Sequence, residues 1–223
     1  MRAHNWLVYA IGDRALAAAL RAHVRGGLLL DIGCGRKPYA ALTRGLAERH
    51  IGVDHPASQH GRAALDAASS AYRLPFRDGT FRSVLSTSVL EHLEEPAAAL
   101  REACRVLEPG GVAVYVTPFL WHVHEEPRDF YRYTRYGLKH LFGAAGFTQV
   151  EVTALSGFWV TFGQLLTYQL FRLHRGPLRW IPVIPLLGSL VQGLALLAHA
   201  LDRSAQSRKW TWAYLTVARR PRT

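Results

Sequence analysis

Acidic residues nearly vanish from the last third of this chain. Residues 151–223 carry nine Lys or Arg but only Glu151 and Asp202 on the acidic side. Over all 223 residues, 27 basic side chains face 16 acidic ones, a formal charge of +11. Such an excess implies an anionic neighbour: nucleic acid, a phospholipid surface or a charged substrate. Cysteine is scarce as well. Cys34 and Cys104 are the only two, too few for a disulfide framework, and no CxxC or Cys/His spacing points to structural zinc. A reduced, cytoplasmic setting follows. Near the N-terminus the apolar stretch Trp6 to Gly12 is short and is followed at once by Asp13 and Arg14, so it does not read as a secretory signal. Repeats and low-complexity linkers are missing too, and residues 1–223 read as one domain. With 49% hydrophobic and 19% charged residues, the chain can build one sizeable core, and a disordered, collagen-like or coiled-coil chain is excluded.

Residues 1–150 alternate short apolar runs with helical spacing. Strands are expected at Leu28–Ile32, Ile51–Asp54, Arg82–Ser86, Gly111–Thr117, Val150–Thr153 and Trp212–Val217. Helices are expected over Tyr39–Arg49, Glu95–Leu107 (with Ala99, Leu100, Ala103 and Val106 inward) and Tyr136–Gly146. Strands without polar alternation, separated by helices, indicate a mostly parallel sheet covered on both faces. The expected class is α/β, doubly wound.

The first strand ends in Asp31-Ile32-Gly33-Cys34-Gly35, at the edge where such sheets bind ligands. Glycines there let the main chain approach a ligand closely. Asp54, 23 positions on at the end of the second strand, can hold two ribose hydroxyls. A dinucleotide fingerprint would need a third glycine where Pro38 stands. Its loss, and a carboxylate at Asp31 that would repel a pyrophosphate, argue against NAD or FAD. A ligand with a ribose and a cation but no phosphate fits, as S-adenosylmethionine does.

The run from Leu29 to Tyr39, LLDIGCGRKPY, resembles the first motif of the class I S-adenosylmethionine-dependent methyltransferases. Leu74 to Phe81 (LPFRDGTF) and Val89 to Leu93 (VLEHL) are similar to later blocks of the type 11 branch, and Leu107 to Gly111 (LEPGG) to its turn before strand five. The resemblance covers residues 28–147. It implies a Rossmann-like, mostly parallel seven-stranded sheet. It also implies a methionine end surrounded by Asp31, Gly33, Cys34 and Gly35, with the ribose on Asp54. The family's adenine-facing acid is replaced by Ser70, next to Ala71, leaving a hydroxyl and a main-chain N–H to read the adenine edge. Ser86, at the end of strand four, is expected among the cofactor-binding residues. An aspartate usual after Phe81 of the Leu74–Phe81 block is replaced by Arg82.

Methyl transfer from a sulfonium is an in-line displacement, so positioning and exclusion of water supply much of its rate. An oxygen acceptor needs a base to take its proton. The Asn/Asp-Pro-Pro-aromatic motif of many base and glutamine methylating enzymes is absent after strand four, where Ser86-Thr87-Ser88 stand. After strand five, Pro118 to Thr134 (PFLWHVHEEPRDFYRYT) resembles the His…Pro-x-Asp-Tyr-x-Arg-Tyr-Thr stretch of one bacterial subset of the family. His124 is the first candidate base and His122 the second, because neutral imidazole suits that task. His92 reads as structural. Two histidines and three acids would permit a metal, but their spacing matches no ligand motif, and no metal is expected.

Residues 155–205 stand apart as an apolar helical insertion before the last strand. Gly157 to Phe171 and Trp180 to Leu201 are uncharged. The helical part of the second, Leu186 to Leu201, falls short of the roughly 20 residues that span a bilayer. Arg172, Arg175, Arg179, Arg203, Arg208 and Lys209 flank the two stretches, as in elements that lie on anionic lipid. A lid over the acceptor, a hairpin in one leaflet and a packed or dimeric face all remain open. The expected function is S-adenosylmethionine-dependent transfer to a small or lipid-linked apolar acceptor, at oxygen, in the cytoplasm or at the inner face of the membrane. A non-catalytic membrane-associated relative of the same fold is the alternative. RNA methylation ranks below both, because no strong basic run or RNA-binding module is visible. Oligomeric state stays open.

Overall fold

The computed structural model describes residues 5–58, 63–174, 183–202 and 204–222. The chain divides into two compact units, Leu16–Thr153 with Tyr214–Thr223, and Met1–Ala15 with Ala154–Ala213. The first unit is built on a seven-stranded sheet: β1 (Leu28–Ile32), β2 (Arg49–Asp54), β3 (Ala67–Ala68), β4 (Phe81–Thr87), β5 (Leu107–Pro118), β6 (Thr148–Ala154) and β7 (Ala213–Arg219). Its order is β3-β2-β1-β4-β5-β7-β6. The pairs from β3 to β5 are parallel. Where the chain leaves β7, Arg220 N–H donates to Gly111 C=O while Gly110 N–H donates to Arg220 C=O, the reciprocal pattern of an antiparallel pair. The sheet is therefore mixed, doubly wound and Rossmann-like. Strand order reverses between β1 and β4, which opens a crevice at their carboxyl ends.

Local chemistry explains the elements. Leu29, Leu30, Val84, Leu85 and Val112 to Val114 are buried, as unbroken apolar strands covered on both faces must be. Helix α3 (Pro96–Val106) starts with Pro96, whose missing N–H costs nothing in a first turn. It buries Ala99, Leu100, Ala103 and Val106, the four positions its spacing marks. Helix α4 (Arg135–Ala144) is capped by Thr134, whose hydroxyl accepts from Gly137 N–H at 3.0 Å. The chain leaves it through Gly146 at φ +97°.

Three local expectations need correction. The helix expected over Tyr39–Arg49 is only α2 (Ala40–Thr43), because Arg44 is extended and Gly45 takes φ +79°, and β2 already begins at Arg49. Helix α1 (Trp6–His23) forms where only a rejected signal stretch was noted, burying Leu7, Leu16 and Leu20. The short β3 went unread, since two alanines leave no pattern.

The second unit carries a helix pair, α5 (Phe158–Leu173) and α6 (Val183–Leu201). Phe158 N–H at the start of α5 is satisfied by Ser207 Oγ at 3.0 Å. The helices meet through small residues: a Cβ on Gly163 would lie 2.4 Å from that of Ala195, and one on Gly188 2.7 Å from Phe171 Cε2. Helix α6 is 19 residues, three longer than Leu186–Leu201, with Pro185 in its first turn, where proline is tolerated. Of the residues assigned to the insertion, Arg175, Arg179, Trp180, Pro182 and Arg203 lie outside the described residues.

Candidate active site

Gly33, Cys34 and Gly35 turn the chain out of β1 into the crevice. Gly33 and Cys34 N–H both donate to Val53 C=O, at 2.8 and 3.1 Å, which ties the turn to β2. Gly33 adopts φ +71°, and a Cβ there would lie 2.2 Å from Val89 Cγ2. The Cys34 thiol packs over Gly52, leaving a Cβ there 2.6 Å from Sγ, and burial, then Asp31 and Asp54, push it up to about 12. Cys34 is an inert packing thiol whose main chain alone shapes the turn. Asp31 lies beneath the turn, 2% exposed, with His50 Nε2 at 2.9 Å. His50 Nδ1 meets Thr43 Oγ1 at 2.8 Å. Burial raises the Asp31 carboxyl above its usual range, against the opposing pull of His50.

Asp54 ends β2 half-buried. Its Oδ2 accepts Gly35 N–H at 3.0 Å and Ser58 hydroxyl at 3.1 Å, and its Oδ1 accepts His55 N–H at 2.7 Å. Three of about four acceptor positions of a carboxylate are filled. A ribose hydroxyl can take the fourth and another can displace the rotatable Ser58 hydroxyl, so the donor set fits a ribose. Ser69 N–H donates to Asp54 C=O at 2.9 Å, which brings the Ser70-Ala71 turn to the end of β2. Ser70 Oγ accepts Tyr72 N–H at 3.2 Å and keeps its own proton to donate. Ser86, 2% exposed, donates to Ile32 C=O at 2.9 Å. Its hydroxyl fastens β4 to the end of β1.

The segment after β5 folds onto the short 3₁₀ helix Leu90–His92 that follows β4. Phe130 and Tyr131 N–H both donate to Glu91 C=O, and Tyr133 hydroxyl donates to Leu90 C=O at 3.0 Å. Arg132 staples the segment: its guanidinium donates to both Asp129 carboxylate oxygens, at 2.6 and 2.7 Å, and to the carbonyls of His122 (2.9 Å) and Trp121 (3.3 Å). Hydrogen bonding to Arg132 holds the buried Asp129 carboxyl well below the usual carboxylate range, against burial. Asp129 Oδ2 also accepts His124 N–H at 2.8 Å.

His124 and His92 pack edge to face with ring centres 4.8 Å apart, and His122 lies 6.1 Å from His124. Burial lowers the His122 imidazole below its ordinary value, which favours the neutral, basic form. Beside the two packed rings lies Glu91, fully buried, with Oε1 3.8 Å from the Nε2 atom of each. Burial raises its carboxyl to about 8. Sequence reasoning placed His124 and His122 in one segment but missed Glu91, and it read His92 as structural. Both were visible in the Val89–Leu93 block; what brings them against His124 is the return of residues 119–134 onto the 3₁₀ helix after β4.

Known proteins share the motifs and the fold. A methyltransferase-domain family model of type 11 matches residues 30–115. An uncharacterized methyltransferase of Mycobacteroides abscessus is 31% identical over 138 residues, 55% of this chain and 49% of that protein. Another, from Mycobacterium leprae, is 29% identical over 189 residues, 74% of this chain and 69% of that protein. Phosphoethanolamine N-methyltransferase 2 of Haemonchus contortus, solved with S-adenosyl-L-methionine, shares the fold with a TM-score of 0.61 at 16% identity, over 98% of this chain and 56% of its own. Motif and relatives converge: the chain is similar to the class I S-adenosylmethionine-dependent methyltransferases, and residues 30–115 carry its match to the type 11 methyltransferase domain.

Proposed function

We propose that this methyltransferase acts at oxygen on an apolar or lipid-linked acceptor, at an anionic membrane surface on the cytoplasmic side. The observation that carries the reading is the outer face of α6. Leu186, Leu190, Leu194, Leu197 and Leu201 recur at helical spacing and are each 56–74% exposed. Phe162 and Trp159 of α5 are exposed as well. Exposed apolar surface on this scale marks an interaction site. Arg172, Arg208 and Lys209, all exposed, supply charge complementary to acidic headgroups. Helix α6 is also the one described helix long and apolar enough to cross a membrane, with mean hydropathy 1.7 and 17% of it buried. We treat residues 155–205 as the element that brings the enzyme to its acceptor.

The cofactor supplies a methyl group made electrophilic by its sulfonium. In our reading Gly33, Cys34 and Gly35 cradle its methionine end with Asp31 as the nearby negative charge, Asp54 takes the ribose, Ser70 and Ala71 read the adenine edge, and Ser86 keeps β1 and β4 in register. An imidazole of the segment after β5, His124 or His122, removes the acceptor proton.

Flotation with phosphatidylglycerol vesicles at low salt tests the surface. The full chain should rise with acidic vesicles and far less with neutral ones. Leu190→Gln/Leu194→Gln/Leu197→Gln should lower vesicle affinity by more than about tenfold, since each buried leucine contributes about 2 kcal/mol. A wild-type chain that stays at the bottom of the gradient, or a triple variant that floats equally well, would contradict the membrane reading. Single-turnover transfer to lipid and phenolic acceptors then identifies the atom methylated.

A further inference from the structure

Three potential ligand atoms converge on one point. Glu91 Oε1 lies 3.8 Å from His92 Nε2 and 3.8 Å from His124 Nε2, and the three ligand atoms all fall within 4.8 Å of one another. Glu91 is fully buried, and neither of its carboxylate oxygens has a hydrogen-bond partner among the described residues. The buried Nε2 of His92 has none either. Native proteins rarely leave buried polar atoms in this condition unless something else fills the gap.

The opposite edges of both rings set which nitrogen carries the proton. His92 Nδ1 stands 2.5 Å from Arg128 C=O, which only an N–H can satisfy. His124 Nδ1 faces two acceptors, His122 C=O at 3.2 Å and Asp129 Oδ2 at 3.3 Å. An Arg132 nitrogen lies 3.4 Å from the same atom, but it already donates to that same carboxylate and carbonyl at 2.7 and 2.9 Å. Nδ1 of His124 is therefore the protonated nitrogen, held by a carboxylate and a main-chain carbonyl. Carbonyls and carboxylates behind the rings are how proteins orient metal-binding histidines. Both Nε2 lone pairs lie 3.8 Å from Glu91 Oε1, beyond hydrogen-bond reach of a carboxyl proton, and an ion among the three atoms would satisfy them together. Tetrahedral ligands 2.0–2.2 Å from an ion are about 3.4 Å apart, so closure draws Glu91 Oε1 a few tenths of an ångström toward each ring and the widest pair, within 4.8 Å, closer by up to about 1.4 Å. Glu125 Oε2, 4.0 Å from His92 Nε2 on the more exposed side, stands near a fourth position.

We propose that Glu91, His92 and His124 form a binding site for one divalent transition-metal ion, with His92 and His124 bonding through Nε2. Two imidazoles and one carboxylate suit zinc, manganese, cobalt or iron(II) better than magnesium or calcium, which prefer all-oxygen ligands. The site also bears on the proposed function. If the acceptor is methylated at oxygen, as proposed above, His124 is occupied as a ligand and proton removal passes to His122.

The test is metal binding by the full chain after chelator treatment, measured without cofactor or acceptor, so its outcome is independent of methyl transfer. Titration with zinc should show one equivalent by calorimetry, and cobalt(II) should develop the visible bands of a nitrogen- and oxygen-bound ion. Glu91→Gln, His92→Asn and His124→Asn should each weaken binding by about 100-fold or more, while Asp129→Asn, behind His124, should cost about 10–100-fold. His140→Ala, at an exposed position on α4, and His122→Ala should bind as the wild type does. Zinc should also raise the melting temperature of the wild type but not of His124→Asn. The proposal is overturned if the wild type binds no equivalent, or if it binds one that the three ligand variants keep. Methyl transfer by a chain that binds no metal would overturn the site while leaving the catalytic reading intact.

Discussion

Arg132→Ala should lower stability by about 3–5 kcal/mol, a fall of about 10 °C in melting temperature for a chain of this size. The size of the effect comes from what the guanidinium leaves behind. Asp129 is 2% exposed at its side chain and takes two of its short hydrogen bonds from Arg132, so truncation strands a buried carboxylate. The carbonyls of Trp121, His122 and Tyr131 lose a donor at the same time. Arg132→Lys restores the charge without the planar fork, and should recover part of the loss but not all of it. Because Asp129 Oδ2 also orients His124, the alanine variant should lose methyl transfer even at temperatures where it remains folded. A melt within about 1 °C of the wild type, which would mean a loss well under 1 kcal/mol, would show that the staple does not hold residues 119–134.

Gly33→Ala is the second large effect, expected at about 2–5 kcal/mol. Roughly 1–2 kcal/mol comes from the left-handed backbone at φ +71°, and about 1–3 kcal/mol from overpacking against Val89. The new Cβ would lie 2.2 and 3.0 Å from the two methyl carbons of Val89 and 3.2 Å from its Cβ. A β-branched side chain cannot rotate all of these away. Gly33→Ala/Val89→Ala should therefore be less destabilised than the sum of the two single variants, because the clash is relieved while the dihedral penalty persists. Simple additivity in this double-mutant cycle would assign the whole cost to the backbone.

Much of the fold was legible because strands β1, β4 and β5 are largely buried and carry apolar runs, whereas β2 shows only a short run ending at Asp54. The buried stripe of α3 was legible for the complementary reason, an apolar repeat matched to 3.6 residues per turn. What failed was punctuation within short segments. Leu42 and Leu46 have helical spacing, yet Gly45 in the left-handed region stops the helix between them. Helix α1 was lost because its aromatic, Asp and Arg residues blur the apolar stripe that Leu7, Leu16 and Leu20 nonetheless form. The turn after β1 and the carboxylate of Asp54 were readable from spacing alone, since both sit at strand ends where chain order and spatial order coincide. His50, the partner of Asp31, was not readable: it faces Asp31 through the register of β1 against β2, in which Leu29 pairs with His50. Nor was the meeting of Glu91 and His92 with His124, which needs the segment after β5 to fold back onto the 3₁₀ helix after β4.

The most direct test of the account is calorimetric titration of the purified chain with S-adenosylmethionine and S-adenosylhomocysteine, beside an Asp54→Ala variant. We propose Asp54 as the side chain that takes the ribose, and losing hydrogen bonds from ribose to a carboxylate costs about 3 kcal/mol. The account predicts that the wild type binds both ligands and that the variant binds each about 100-fold more weakly. A wild type that binds neither ligand, or a variant that binds both as tightly as the wild type, would contradict it.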